Sequence, residues 1–174
     1  RALCIKDKET GGKNGIILIS TDLVGGQYRW AYICRKIISK KTGIPISNIL
    51  IHFTHSHSTP DTIGIFPNRI RNLPRTDVQY PVLKHIMKYI IRSAILAFKD
   101  ANREFRLAYG KTKELKTPIA RRREPPYNKI NVPIRFIKIT DLTGEKIIGV
   151  LINYQGHPTQ LPQSNSDISC EYPG

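Results

Sequence analysis

Thr54-His55-Ser56-His57-Ser58-Thr59-Pro60 places two imidazoles two positions apart, directly after the apolar run Ile49-Leu50-Ile51-His52-Phe53. Neutral imidazole is a favoured ligand of zinc, and residues i and i+2 of an extended chain project to one face. His55 and His57 can therefore address one metal ion, or a metal and its bound substrate. His52 lies inside the apolar run and reads as a packed histidine rather than a ligand. A third imidazole, His157, follows Val150-Leu151-Ile152-Asn153-Tyr154 and precedes Pro158. It holds the same position relative to its strand that His55 holds relative to its own, so two converging strand ends would bring both to one point. Taken alone, His-Pro is a turn dipeptide.

The elements that must position these residues are legible from periodicity. Ala2 to Lys6 and Gly15 to Thr21 are short β-branched or apolar runs separated by Asp7-Lys8-Glu9-Thr10-Gly11-Gly12-Lys13-Asn14, which predicts a hairpin. After Asp22 and Gly25-Gly26, Tyr28, Ala31, Ile33, Ile37 and Ile38 recur at helical spacing up to Thr42-Gly43-Ile44-Pro45. Strand, helix and strand in that order predict a right-handed parallel crossover whose strands are buried on both faces. In open α/β sheets the crevice beyond the carboxyl ends of such strands is where ligands bind, and that is where His55 and His57 fall.

A Pro-containing loop (Pro67, Pro74, Pro81) follows the histidines. Val82 to Ala101 then carries Leu83, Ile86, Met87, Ile90, Ala94, Ala97 and Phe98 on one helical face, which reads as core. Phe105 to Lys111 predicts a further strand. Ile134 to Thr140 is expected to pair with Lys146 to Tyr154 across Asp141-Leu142-Thr143-Gly144-Glu145, and the Pro- and Arg-rich Thr117 to Asn131 reads as a loop. The expected class is α/β: a mixed sheet with a strand-helix-strand crossover and helices packed on it.

The 174 residues suit a single domain, 1–174, able to bury roughly 70% of the surface its unfolded chain exposes. No apolar run approaches the ~18 residues of a membrane span. The chain opens on Arg1 and stops at Gly174 in a turn-like segment, as an interior piece of a longer protein would. Cys4, Cys34 and Cys170 are far apart and lack Cys-x-x-Cys spacing, so neither a disulfide framework nor a thiolate zinc site is implied. Lys and Arg number 28 against 13 Asp and Glu, a net charge of +15 that favours anionic partners. The basic residues are scattered, and no RNA-recognition signature or zinc-finger spacing accompanies them, which argues against nucleic acid.

Read together, the motifs resemble the N-terminal domain of the neutral/alkaline non-lysosomal ceramidase family, including its smaller relatives. Arg1-Ala2-Leu3 with Ile16 to Asp22 is similar to the family's opening strands and aspartate. Asn48 to Pro60 resembles its strand followed by Thr-His-Thr-His-Ser-Gly-Pro. Arg121-Arg122-Arg123 falls where relatives carry Asn-Arg-Ser or Asn-Arg-Arg, and Asn153 to Pro158 resembles the His-Pro segment. Ile168-Ser169-Cys170-Glu171-Tyr172-Pro173-Gly174 resembles Ile-Ser-Ala-Asp-Tyr-Pro-Gly. The likeness runs along nearly the whole chain. It departs at Thr59, where the motif has glycine, at Arg121 for Asn, and at Cys170-Glu171 for Ala-Asp.

The resemblance implies an incomplete catalytic domain of a zinc-dependent hydrolase that cleaves the amide of N-acylsphingosine. His55 and His157 match the zinc-binding imidazoles, and His57 matches the histidine near the bound water and the scissile carbonyl. Arg122, or its neighbour Arg123, matches an active-site arginine. Asp22 and Glu171 fall at supporting or substrate-side positions. The family completes its site with a glutamate, a tyrosine and a catalytic serine from farther along. The implied partner is a lipid amide or other small amide; separately, the basic charge of the chain suits an anionic membrane surface. From the residues alone, the arginine trio also reads as a solvated loop and Glu171 as an exposed carboxylate beside a turn. Two other functions fit the same residues: a non-catalytic basic α/β module binding nucleic acid or another polyanion, and a related metal hydrolase acting on a different amide or ester.

Overall fold

The computed structural model describes residues 1–64, 78, 80–112, 133–154, 156–162 and 164–174. Two compact units emerge, one formed by Arg1–Ala101 with Pro158–Gly174 and the other by Asn102–His157.

In the first unit β1 (Ala2–Ile5) and β2 (Ile16–Thr21) form the expected antiparallel hairpin, with Leu3 opposite Leu18 and Cys4 opposite Ile17. Its turn is organised by Asp7, whose carboxylate accepts from the Thr10 amide at 2.7 Å and from the Thr10 hydroxyl. That hydroxyl holds the Asp7 carboxyl below the usual carboxylate range.

Helix α1 (Tyr28–Thr42) follows, burying Trp30, Cys34 and Ile38 at spacings of four along one stripe. It ends at Gly43, whose φ of 77° is the left-handed C-cap conformation that glycine adopts without a Cβ penalty, and Lys40 and Lys41 complement the dipole in the last turn. A single 3-10 turn (Ile46–Asn48) leads into β3 (Ile49–Phe53), which pairs parallel to β2 with Ile17 opposite Ile49. The sheet order is β1-β2-β3. Helix α2 (Tyr80–Asp100) buries Ile90 and Ala94, with Leu83, Ile86, Met87, Ala97 and Phe98 packed against the same cluster, as the spacing predicts.

One expectation fails here. Both helices contribute to a single core with Cys4, Ile17, Ile19 and Ile49, so they cover the same face of the sheet. The other face carries Leu3, Leu18 and Leu50 in register and is open among the described residues: Leu50 is 56% exposed, and His52 on that face is exposed rather than packed. A parallel crossover covers the face its helix lies on; here α2 adds to that layer instead of the opposite one.

The second unit is an antiparallel sheet of order β4-β5-β6, formed by β4 (Arg106–Lys111), β5 (Arg135–Thr140) and β6 (Ile147–Asn153). The register shifts between Ile139 and Thr140. The turn joining β5 to β6 is built on Asp141, which accepts from the Thr143 hydroxyl at 2.8 Å and the Gly144 amide at 2.9 Å; the hydroxyl keeps its carboxyl below the ordinary range. The loops expected around Pro67 and Pro74, and over Thr117 to Asn131, lie outside the described residues.

Candidate metal centre

The chain leaves β3 at Phe53 and does not continue extended. Thr54 donates its amide to Thr21 O at 3.0 Å, and His55 donates to Leu23 O at 3.0 Å, so the strand end stays zipped to the segment that follows β2. His55 itself has φ of 67°, a left-handed conformation rare for a residue with a side chain and often found where function requires it. The simple alternation expected for His55 and His57 is thus replaced by a turn. The two rings still meet, with centroids 4.8 Å apart and planes at 85°.

His157 joins them. One potential ligand atom from each of His55, His57 and His157 lies within 4.8 Å of the others, a grouping able to hold a metal ion. His157 is bonded to Pro158, which is fully buried in the first unit. His55 carries a further sign of preparation: its Nδ1 lies 2.5 Å from the carbonyl oxygen of Val24. A carbonyl only accepts, so the proton sits on Nδ1 and the lone pair of the neutral ring on Nε2. An imidazole anchored in this way is the usual form of a metal-binding histidine. The donors suit zinc in their chemistry: imidazole nitrogens, with oxygen donors from elsewhere able to complete a tetrahedron.

The residues between and after the histidines form a seam that sequence patterning does not reveal. Ser56 is completely buried and donates its hydroxyl to Ser169 O at 2.8 Å, and Ser169 returns its amide to Ser58 O at 2.8 Å. The Glu171 carboxylate accepts from the Ser58 hydroxyl at 3.3 Å and from the Gln160 amide at 2.5 Å. Glu171 also has φ of 52°. It is a part-buried tie between the histidine loop and the segment after His157, and not the exposed carboxylate of the simpler reading. The resemblance had placed Glu171 at a supporting position, without its partners.

Asp22 lies outside the three-histidine group. Its Oδ2 is 3.7 Å from the Arg1 guanidinium, which also donates to the carbonyls of Pro173 and Gly174 at 3.3 and 3.2 Å. Its Oδ1 is buried and has no hydrogen-bond partner among the described residues. Ahead of α1, Gly26 lies beneath the Phe53 ring, where any Cβ would collide with it. The Trp30 indole packs edge-on against the same ring at 5.6 Å and donates to Thr62 O at 3.4 Å, fixing the chain beyond the histidines. Arg122 and Arg123 lie outside the described residues.

No protein-family model and no curated protein matches the chain. Among solved structures, it is similar to a crystal structure of neutral ceramidase from Pseudomonas aeruginosa, with a TM-score of 0.72 and 21% sequence identity. The match covers 98% of this chain and 28% of that one. The chain has a distant ceramidase-like fold and spans little more than a quarter of the length of that protein.

Proposed function

We propose that residues 1–174 are one segment of the catalytic domain of a zinc-dependent hydrolase of linear amides, acting in the manner of a ceramidase on N-acylsphingosine. The observation that carries this reading is the meeting of three imidazoles on a ceramidase-like fold. In this reading His55 and His157 hold the zinc, and a glutamate and a tyrosine from farther along a full-length chain complete the site. Zinc bound there supplies Lewis acidity and a coordinated water whose pKa is lowered to about 7.

The chain's own residues do the rest. His57 holds or transfers the proton that must reach the departing amine as the amide C–N bond breaks. Arg122, with Arg123 as its neighbour, offers a guanidinium to the carbonyl oxygen, where negative charge grows as the carbonyl carbon becomes tetrahedral; that contact lowers the barrier because it strengthens in the transition state. The Val24 carbonyl holds His55 in the ligating tautomer, and Glu171 with Ser58 and Ser56 keeps the histidine loop in place. Asp22 supports the site from the end of β2.

Hydrolysis of N-acylsphingosine by the full-length protein, with and without prior chelation, tests the reading. Turnover is expected to require zinc. His57→Ala is expected to keep the metal and lose about 10²- to 10⁴-fold in rate. The 174-residue segment by itself is expected to bind zinc weakly and hydrolyse little. Zinc-dependent cleavage of other amides or esters, with N-acylsphingosine untouched, would leave the reaction class and remove the substrate. Full turnover after chelation would contradict the proposal.

A further inference from the structure

Helices α1 and α2 lie side by side over one face of the first sheet, and what they turn away from it is unusual in sign. Helix α1 contains five basic residues and no acidic one; α2 contains four basic residues and a single acid, Asp100, at its end. A face that merely has to be solvated mixes both signs. On the outer side of α1, Tyr28, Tyr32, Lys36 and Lys40 follow one another at spacings of four; on α2, Lys84, Lys88 and Arg92 do the same. All seven are exposed, and none of these five cations is in an ion pair among the described residues.

Apolar groups are interleaved with this charge on the same exposed faces. Ile33 on α1 is 43% exposed and Leu96 on α2 is 47% exposed, while Tyr89 stands beside Lys88. Cations at headgroup level, tyrosines at the boundary and aliphatic tips beneath are the complement of an anionic bilayer surface. Nucleic acid would use the cations but leave the aliphatics in water. It would also want free ring faces for base stacking. Here Tyr28 and Tyr32 stack on each other at 5.7 Å, and Tyr89 is covered by His85 at 4.7 Å.

We propose that the outer face of α1 and α2 is a docking surface for anionic phospholipid membranes. It is independent of the metal centre, and the result below does not depend on whether the protein hydrolyses amides.

The test is co-sedimentation of the full-length protein with phosphatidylcholine vesicles and with vesicles containing phosphatidylglycerol. Each cation close to an anionic surface contributes about fivefold to partitioning. The quartet Lys36→Glu, Lys40→Glu, Lys88→Glu and Arg92→Glu is therefore expected to weaken binding to phosphatidylglycerol vesicles by about a hundredfold or more. A control quartet of exposed residues elsewhere, Lys13→Glu, Arg103→Glu, Lys111→Glu and Lys146→Glu, carries the same net charge and is expected to lose far less. Circular dichroism checks folding; if the reversal quartet does not fold, the glutamine quartet at the same four positions is read in its place. Equal losses in the two quartets would reduce the effect to overall charge and overturn the proposal. So would wild-type binding that ignores phosphatidylglycerol, or a DNA duplex that strips the protein from the vesicles.

Discussion

The first unit concentrates its apolar residues in one cluster, with Ile17, Cys34, Ile38 and Ile44 completely buried, whereas in the second unit Ile139 and Thr140 alone are buried among the described residues. In the second unit's sheet Tyr109 is 68% exposed and Ile152 63% exposed, on opposite faces by the strand register. The histidine pair sits at the edge of the dense region. Its loop is fixed by the hydrogen bonds that Ser56 donates to Ser169 O and Ser58 donates to the Glu171 carboxylate, and a buried cluster provides the rigid base that holding a ligand geometry requires. The difference teaches where the chain invests order: in the hairpin, crossover and helix layer that carry His55 and His57.

That contrast can be broken by mutation. The largest effect is expected from Trp30→Ala, which removes a side chain 4% exposed together with its edge-on contact to Phe53 and its bond to Thr62 O. It should cost about 3–5 kcal/mol in denaturant titration. Next comes Ser56→Ala, which leaves the part-buried Ser169 carbonyl without this donor. A loss of about 1–3 kcal/mol is expected, with a parallel weakening of zinc retention because the histidine loop loosens. Smallest should be Ile152→Ala, within about 0.5 kcal/mol for a side chain this exposed. A cost for Ile152→Ala comparable to that of Trp30→Ala would show that the second sheet is covered in the intact protein and would dissolve the contrast.

Much of this order was written locally. The hairpin, both helices, the buried stripe of α2, the parallel pairing of β2 with β3 and the pairing of β5 with β6 follow from spacing, turn residues and the glycine at the end of α1. The stripe of α1 does not: of Tyr28, Ala31, Ile33, Ile37 and Ile38 only Ile38 is buried, while Trp30 and Cys34 line the core and Tyr28 and Ile33 face outward. The division into two sheets does not, because strand alternation says which residues share a face but not which strands share a sheet. Nor does the open face behind Leu50 and His52, which depends on which side α2 takes. At the site, His55 and His57 were legible from their types and spacing, whereas His157 by itself read as a turn dipeptide and joined them only as an expectation of the resemblance. The left-handed turn at His55, its Val24 partner and the tie through Glu171 were not, since each depends on contacts distant in sequence.

Zinc X-ray absorption of the full-length protein, paired with metal quantification, tests most directly the convergence of imidazoles on one ion. About one zinc per chain is expected, with imidazole nitrogens at ~2.0–2.1 Å, and both the metal and that scattering should be lost in His55→Ala and in His157→Ala. Stoichiometric zinc with unchanged imidazole scattering in either variant would contradict the account.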